Sequence, residues 1–228
     1  MTPRTVVVTG ASGNLGRAVA EAFDRRGDNL VLVGHRASLE RAYGAETARR
    51  MFAVADLLDP GQLRAAIAVA HERFGDVHAL CNLAGGFRMD GSVHETGDDA
   101  WQAMHDVNVR TLLNAVRAVV PRMLEAGRGS VVNVGSATAL KAAAAMAPYA
   151  ASKAVVVRIT EAMSAELKPH GINVNCVLPT TIDTPQNRVS MPDADPSRWV
   201  APADLANVIV FLASDDARAI HGAALPVG

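Results

Sequence analysis

Short apolar segments alternate with longer amphipathic segments along almost the whole chain. The short segments are apolar at successive positions, as in strands of a parallel sheet that helices cover on both sides. The longer segments repeat their apolar residues at the period of an α-helix. The alternation therefore predicts an α/β fold, in which a doubly wound parallel sheet of about seven strands carries helices on both faces.

The predicted elements follow one another without a polar linker or an internal repeat, so we expect one domain spanning residues 1–228. The longest segment without a pattern covers about 180–200, and loops of this length in compact domains are commonly functional. We expect it to be a substrate loop. The predicted strands are Thr5–Thr9, Leu30–Gly34, Met51–Ala55, Val77–Asn82, Ser130–Val134, Ile172–Val177 and Ala223–Val227. The predicted helices are Leu15–Arg26, Pro60–Phe74, Trp101–Ala126, Pro148–Lys168 and Pro202–Ser214.

Charge and composition limit the classes of partner. A formal net charge of −1, without a long run of one sign, argues against nucleic acid or a membrane as the main partner. Cys81 and Cys176 lie far apart in apolar segments, which favours two buried, reduced thiols. The first predicted strand begins at Thr5, which leaves no room for a signal peptide, and no apolar run reaches the ~18 residues of a membrane span. The histidines show no metal-binding spacing, so we expect no metal and a soluble, cytoplasmic protein acting on a small molecule.

A glycine-rich segment, 9–16 with the sequence TGASGNLG, joins the first predicted strand to the first predicted helix. Glycines allow a sharp turn and let backbone N–H groups approach a pyrophosphate, while the helix N-terminus directs its positive dipole end at the phosphates. Such a loop alone would indicate little, but at this position in an alternating chain it predicts a dinucleotide site. A plain tight turn is the alternative interpretation.

The end of the second predicted strand bears on the choice between the two nicotinamide cofactors. An acidic residue there would bind the ribose 2′-hydroxyl of NAD, but the chain has Gly34, His35 and Arg36. Arg36, with His35, offers a charge-assisted contact to a 2′-phosphate, so the sequence favours NADP(H). NAD(H) stays an option if Arg36 is a solvated loop residue. After the third strand come Asp56 and Leu57, where Asp56 would either contact adenine or cap a turn.

Further polar residues fall where predicted elements end at one rim of the sheet. Asn82, the last residue of the fourth predicted strand, begins the sequence NLAGG, and Ser136 follows the fifth strand. Tyr149 and Lys153 are four residues apart and share one face of a helix. An ammonium beside a buried phenol favours the phenolate, so we expect a lowered pKa for Tyr149. The pair would then pass a proton to or from an alcohol or carbonyl oxygen.

Each of these residues also has an ordinary interpretation. A Tyr–Lys pair at this spacing occurs on solvated helices, Ser136 would cap a strand end, and Asn108 would be a satisfied polar residue in a helix. Together, however, the residues resemble the short-chain dehydrogenase/reductase family over essentially the whole chain. The resemblance rests on the glycine turn, Asn-x-Ala-Gly at 82–85, Asn108, Ser136 and Tyr149-x-x-x-Lys153, in the family's order and approximate spacing.

The resemblance implies a single-domain Rossmann fold and a Ser–Tyr–Lys site with an assisting asparagine. Tyr149 would protonate the carbonyl oxygen, Lys153 would lower the pKa of Tyr149 and bind the nicotinamide ribose, and Ser136 would hold the substrate oxygen. Asn108 would keep a helix irregularity and a water in a proton relay through Lys153. The implied cofactor-binding residues are Gly10, Ser12, Gly13, Asn14, Leu15, Gly16, His35, Arg36, Asp56, Leu57, Asn82, Ala84, Gly85, Tyr149, Lys153, Pro179, Ile182 and Thr184.

The chain departs from the family pattern at several positions. Asn14 stands where the second glycine of the turn is usual, Leu83 replaces an asparagine, and Thr180 replaces the glycine of a Pro-Gly pair. The segment 178–195 resembles the dihydropteridine reductase branch, whose animal members lack the active-site serine. Ser136 therefore favours an ordinary carbonyl or alcohol over a quinonoid pterin.

We therefore expect an oxidoreductase that interconverts a carbonyl compound and a secondary alcohol by hydride transfer, with Tyr149 as acid/base. A pterin or quinone-type reductase is the first alternative. A dinucleotide-binding protein without turnover is the second, although a pure binder has no need for the Ser–Tyr–Lys–Asn set. The apolar faces of 101–126 and 148–168 exceed what one sheet covers, which with the family resemblance predicts a homodimer or homotetramer.

Overall fold

The computed structural model describes residues 3–228, which form one seven-stranded parallel sheet with helices on both faces. The strand order is β3-β2-β1-β4-β5-β6-β7, so the chain reverses direction across the sheet between β1 and β4. This confirms the predicted doubly wound Rossmann architecture. The strands are β1 Thr5–Thr9, β2 Asn29–Gly34, β3 Arg50–Val54, β4 Val77–Asn82, β5 Gly129–Val134, β6 Ile172–Pro179 and β7 Ala224–Val227.

Eight α-helices accompany the strands in the described part of the chain. One buried cluster joins α1 and α8 on one face of the sheet, and a second joins α3, α5 and α6 on the other. The strands between them are buried on both sides, which explains their continuous apolar sequences. The helices are α1 Asn14–Arg25, α2 Arg36–Tyr43, α3 Pro60–Phe74, α4 Asp98–His105, α5 Thr111–Ala126, α6 Ala147–Leu167, α7 Pro185–Ser190 and α8 Pro202–Leu212.

The predicted strands and most predicted helices agree with the structure to within two residues, with three differences. The helix predicted over Trp101–Ala126 is divided into α4, a π-helical turn at Asp106–Arg110, and α5. The short helices α2 and α7 were not predicted. In α2 only Leu39 is buried and in α7 no residue is, so neither carries an apolar period that a sequence pattern would detect.

The register of the central strands brings their carboxyl ends to one edge. Thr9, the last residue of β1, pairs with Asn82 of β4, and Asn82 pairs with Asn133 of β5. The segments that leave these strands therefore begin side by side at the point where the strand order reverses. In open α/β sheets this crevice is where ligands bind. No helix among residues 3–228 is long and apolar enough to cross a membrane.

Candidate active site

The glycine turn is packed against the segment that follows β4. Gly10 has a φ of +63°, and a Cβ on it would lie 2.8 Å from the backbone nitrogen of Ala84. A Cβ on Gly16 would lie 2.7 Å from the carbonyl oxygen of Ala11. Thr9 adds a direct link, because its Oγ1 accepts hydrogen bonds from the N–H groups of Leu83 (3.1 Å) and Ala84 (3.2 Å). A larger residue at Gly10 would therefore push the turn away from the segment after β4, and one at Gly16 would push α1 away from the turn.

The first turn of α1 fits a phosphate group. The helix begins at Asn14, directly after the turn, and its N-cap residue Gly13 offers no side chain to the helix N–H groups. These N–H groups point to the crevice at the carboxyl edge and lie at the positive end of the helix dipole. The turn therefore has the geometry that a dinucleotide pyrophosphate requires.

Tyr149 and Ser136 bring a phenol and an aliphatic hydroxyl together at this edge. Ser136 is buried (7% exposed) and caps a short 3₁₀ turn, where its Oγ accepts hydrogen bonds from Thr138 N (3.2 Å) and Thr138 Oγ1 (2.9 Å). Its own hydrogen is thus free to interact with the phenol of Tyr149, which α6 places beside it. A carbonyl or alcohol oxygen between the two groups would receive two hydrogen bonds.

Lys153 is buried one turn further along α6, and its Nζ donates a hydrogen bond to the carbonyl oxygen of Val134 at 3.0 Å. Burial lowers the pKa of Lys153 to about 8. Burial also raises the pKa of Tyr149, although the contact with Ser136 opposes this rise. The predicted lowering of the Tyr149 pKa is therefore wrong for this arrangement, because desolvation of the phenol is the larger effect and Lys153 donates to a strand carbonyl.

Asn108 lies at the centre of the π-helical turn and is fully buried (1% exposed). Its amide clamps the backbone of Gly86, accepting from Gly86 N at 3.0 Å and donating to Gly86 O at 3.1 Å. Its Nδ2 also donates to Ser152 Oγ at 3.1 Å, and that hydroxyl donates to the carbonyl oxygen of Tyr149 at 2.7 Å. The asparagine thus joins the segment after β4 to the first turns of α6.

Two site residues escaped the sequence reasoning or were given no role there. The role of Ser152 depends on a partner 44 positions away, and no local pattern reveals such a contact. Phe87 places its ring perpendicular to that of Tyr149 with the ring centroids 4.9 Å apart. It is about half exposed, so one of its faces is available beside the phenol.

Several residues predicted to contact the cofactor make hydrogen bonds within the protein in this structure. The side chain of Asn82 turns into the sheet and donates to Asn133 Oδ1 at 2.9 Å, so it contributes to the strand end and not to the open groove. Asp56 accepts from Leu58 N at 2.8 Å, which is the turn-capping interpretation, while the Leu57 carbonyl accepts from Asn114 at 2.9 Å. The side chains of His35 and Arg36, at the start of α2, are both exposed.

The segment after β6 lies across the same edge. Pro179 ends the strand, Ile182 pairs with Val200 in an isolated bridge, and the Thr184 hydroxyl caps α7 by accepting from Asn187 N at 3.1 Å. The structure brings Gly10 against Ala84, and Gly85 beside Asn108 and Lys153. Among residues 3–228, no group of three or more His, Cys, Asp or Glu side chains is placed to hold a metal ion.

A doubly wound sheet, a glycine turn at the strand-order reversal, and a buried Ser–Tyr–Lys cluster at the same edge define an oxidoreductase of the dinucleotide-binding α/β class. Comparison with known proteins gives the family. Residues 4–195 match the family described as "short chain dehydrogenase", and the chain belongs to that family.

Its relatives are similar over nearly their full lengths. The chain is 35% identical to 2-(R)-hydroxypropyl-CoM dehydrogenase of Xanthobacter autotrophicus, covering 97% of this chain and 96% of that protein. It is 31% identical to 3-alpha-(or 20-beta)-hydroxysteroid dehydrogenase of Mycobacterium tuberculosis, covering 96% and 86%. Among solved structures, 3-ketoacyl-(acyl-carrier-protein) reductase of Brucella melitensis, complexed with NADH, is similar with a TM-score of 0.88 at 30% identity, covering 98% and 96%.

Proposed function

We propose that this protein is an NADP(H)-preferring oxidoreductase that interconverts a carbonyl compound and a secondary alcohol. The observation that carries the proposal is the meeting of Ser136, Tyr149 and Lys153 beside a glycine turn suited to a pyrophosphate. The two relatives are named as dehydrogenases of hydroxy compounds, and the solved structure as a ketoacyl reductase. Those names support the reaction class for this chain, while its substrate would be set by its own pocket.

The cofactor would supply the hydride, and the protein would supply binding and proton transfer. Gly10, Gly16 and the N–H groups at the start of α1 would hold the pyrophosphate. Lys153 would bind the nicotinamide ribose with its ammonium. Thr184 would contact the carboxamide, with Pro179 and Ile182 fixing the backbone that carries it.

During reduction, Ser136 would donate a hydrogen bond to the substrate oxygen and stabilise the negative charge that develops on it. The raised pKa of Tyr149 keeps the phenol protonated at neutral pH, so Tyr149 is suited to give its proton to that oxygen. Lys153 would then restore the proton of Tyr149 through Asn108 and a water held in the π-helical turn. Phe87 would form an apolar wall beside the reacting carbon.

The cofactor preference has support from a basic depression next to the glycine turn. This depression, of about 190 Å³, is lined by Ser12, Arg17, Ser38, Arg41 and Ala42. Two guanidinium groups at this position would favour a phosphate over a free hydroxyl. They reinforce the preference that we inferred from Arg36, which in this structure makes only a long ion pair of 3.5 Å with Glu40.

Arg36→Ala tests this preference. The variant should raise the KM for NADPH by roughly tenfold and leave the KM for NADH nearly unchanged, because only the 2′-phosphate contact is lost. Glu40→Gln, which frees Arg36 from its partner, is the matched control and should not raise the KM for NADPH. Equal changes in the two KM values for Arg36→Ala would contradict the NADP assignment.

The reaction itself is tested by Tyr149→Phe. We expect turnover of a panel of ketones to fall by at least ~10²-fold with little change in NADPH affinity, because the phenol gives the proton to the substrate oxygen while many other groups hold the dinucleotide. Retained turnover would overturn the mechanism. Ser136→Ala should impair ketone reduction similarly. If that variant instead retained reduction of a quinonoid pterin, the pterin reductase alternative, suggested by the segment 178–195, would replace our proposal.

We also propose that the whole of 1–228 acts as one domain in a homodimer or homotetramer, with 180–200 as its substrate loop. Trp101, Leu124 and Val155 remain partly exposed on α4, α5 and α6 although the sheet is covered. These apolar side chains support self-association through the helical face. Sedimentation velocity should give a dimer or tetramer at micromolar concentration, and a monomer would refute this part. A cytoplasmic location stays a prediction from the sequence.

A further inference from the structure

The segment that leaves β6 reaches across the crevice to the glycine turn. β1 and β6 are separated by β4 and β5, so their ends lie three strand spacings apart, ~14 Å. Nevertheless, the side chain of Asn14 at the start of α1 donates from Nδ2 to Gln186 Oε1 of α7 at 2.7 Å. This single contact, 172 positions apart in sequence, spans the carboxyl edge above β4 and β5.

The base of this segment is firmly attached. Asp183 N donates to Val200 O at 2.8 Å, and Val200 N donates to Thr181 O at 2.8 Å. Arg188 then forms a bidentate pair with Asp183, with Nε–Oδ1 and Nη2–Oδ2 distances of 2.6 and 2.7 Å. The segment is therefore attached at its base by backbone hydrogen bonds to Val200.

The far end of the segment is held much more weakly. No residue of α7 is buried, and Val189 is 82% exposed, so no apolar burial holds this helix in place. Elements with few buried apolar contacts open at low free energy. The Asn14–Gln186 hydrogen bond is therefore a direct link between α7 and the glycine turn on the opposite side of the crevice.

We propose that Asn14 and Gln186 are a positioning pair that closes α7 over the pyrophosphate of the bound dinucleotide and slows its release. The inference rests on the proposed function for the ligand, but the pairing itself is a property of the protein. Asn14 occupies the position of a usual family glycine, which has no side chain to make this contact. The pair sets the rate of cofactor exchange in this chain and takes no part in proton or hydride transfer.

Dissociation of NADPH, followed by stopped-flow fluorescence, tests the pair in Asn14→Ala, Gln186→Ala and the double variant. Each single variant should speed dissociation by ~3- to 10-fold, as for loss of one accessible hydrogen bond. The double variant should be no faster than either single one, because both remove the same contact. In Gln186→Ala, whose side chain is not among the cofactor-binding residues, the rate of hydride transfer in a single turnover should not change. Glu21→Gln, on the exposed side of α1, is the control and should match the wild type.

Hydrogen exchange of the ligand-free protein separates this inference from the proposed function. The Arg188 and Met191 amides of the α7 region, bonded to Thr184 O and Asn187 O, should exchange ~3- to 10-fold faster in either single variant than in Glu21→Gln. Failure of NADPH to bind the wild type would refute the proposed function. The exchange rates of the ligand-free protein would still test whether Asn14 and Gln186 hold α7. Unchanged exchange in both single variants, or additive effects in the double variant, would overturn the pair.

Discussion

Lys153 Nζ donates a hydrogen bond to the carbonyl oxygen of Val134 at 3.0 Å and lies 6.0 Å from the centroid of the Tyr149 ring. The last residue of β5 therefore fixes the ammonium, while α6 fixes the phenol. Burial acts on both groups in the direction of neutrality, lowering the pKa of Lys153 to about 8 and raising that of Tyr149. At neutral pH, the phenol keeps its proton and the ammonium is largely retained.

These pKa shifts predict a pH profile for carbonyl reduction. Reduction requires the protonated phenol and the charged ammonium, and Lys153 is the first of the two to lose its proton as the pH rises. We expect kcat/KM for ketone reduction by NADPH to fall about tenfold per pH unit above about pH 8, where Lys153 titrates. A profile measured from pH 6 to 10 checks this, and a flat profile through pH 9 would contradict it.

Stability should show the opposite trend. The pKa of Lys153 is depressed from 10.5 to about 8 in the folded protein, so the unfolded chain binds more protons between these values and wild-type stability rises with pH across that window. Below pH 8 the buried charge costs up to ~3 kcal/mol. Lys153→Met should therefore abolish turnover yet raise the free energy of unfolding at pH 7 by ~1–3 kcal/mol.

Urea unfolding at pH 7.0 and 9.5 measures this difference. The gain for Lys153→Met should shrink at the higher pH, because the wild-type lysine is then neutral in the folded state. A variant less stable than the wild type at pH 7 would mean that the Val134 hydrogen bond outweighs the desolvation of the ammonium.

Local sequence patterns predict much of the fold, because the strands of this sheet are buried on both faces and are therefore apolar throughout. The apolar runs at β1 and β4 and the glycine turn between Thr9 and Gly16 each depend on neighbours in sequence. The helix α7 has no buried residue, so nothing in its composition separates it from a loop. Its position is decided by polar contacts to distant segments.

In the candidate site, too, some features follow from local sequence and others depend on contacts between distant residues. The Tyr149–Lys153 spacing follows from helix geometry, so the sequence predicts their proximity. The direction of the Tyr149 pKa shift does not follow, because it depends on how deeply the ring is buried and on which acceptor Lys153 finds. The side chain of Asn82 likewise faces into the sheet, because the amide oxygen of Asn133 on the neighbouring strand accepts a hydrogen bond from it there.

Ser152 should prove to be a positioning residue for Asn108. Ser152→Ala removes the acceptor of Asn108 Nδ2 and leaves a buried N–H without its partner, which costs about 1–3 kcal/mol. We expect kcat to fall by roughly tenfold with little change in the KM for NADPH, because the Asn108 amide loses the contact that ties it to α6 and keeps only its two hydrogen bonds to Gly86.

Ser164→Ala is the matched control, since Ser164 is a buried serine on the same helix, three turns from the site. Steady-state kinetics and thermal unfolding of both variants separate the two roles. Similar losses of kcat in the two variants would mean that Ser152 acts only through the stability of α6.

Gly85 lies where the asparagine and the lysine of the site approach the segment after β4. A Cβ on Gly85 would lie 2.8 Å from Asn108 Oδ1 and 3.2 Å from Lys153 Nζ, so both side chains would have to move. Gly85→Ala should therefore reduce kcat by at least ~10-fold, because the geometry of the proton path requires both groups in place.

Gly91→Ala is the control: the same Cβ there would have its nearest contact, with Glu95, at an ordinary 3.6 Å. Neither glycine has a left-handed φ, so the comparison isolates the space available to the methyl group. The measurement is the kcat for ketone reduction by the two variants. A near wild-type kcat for Gly85→Ala would show that the Asn108–Lys153 arrangement is not needed for catalysis.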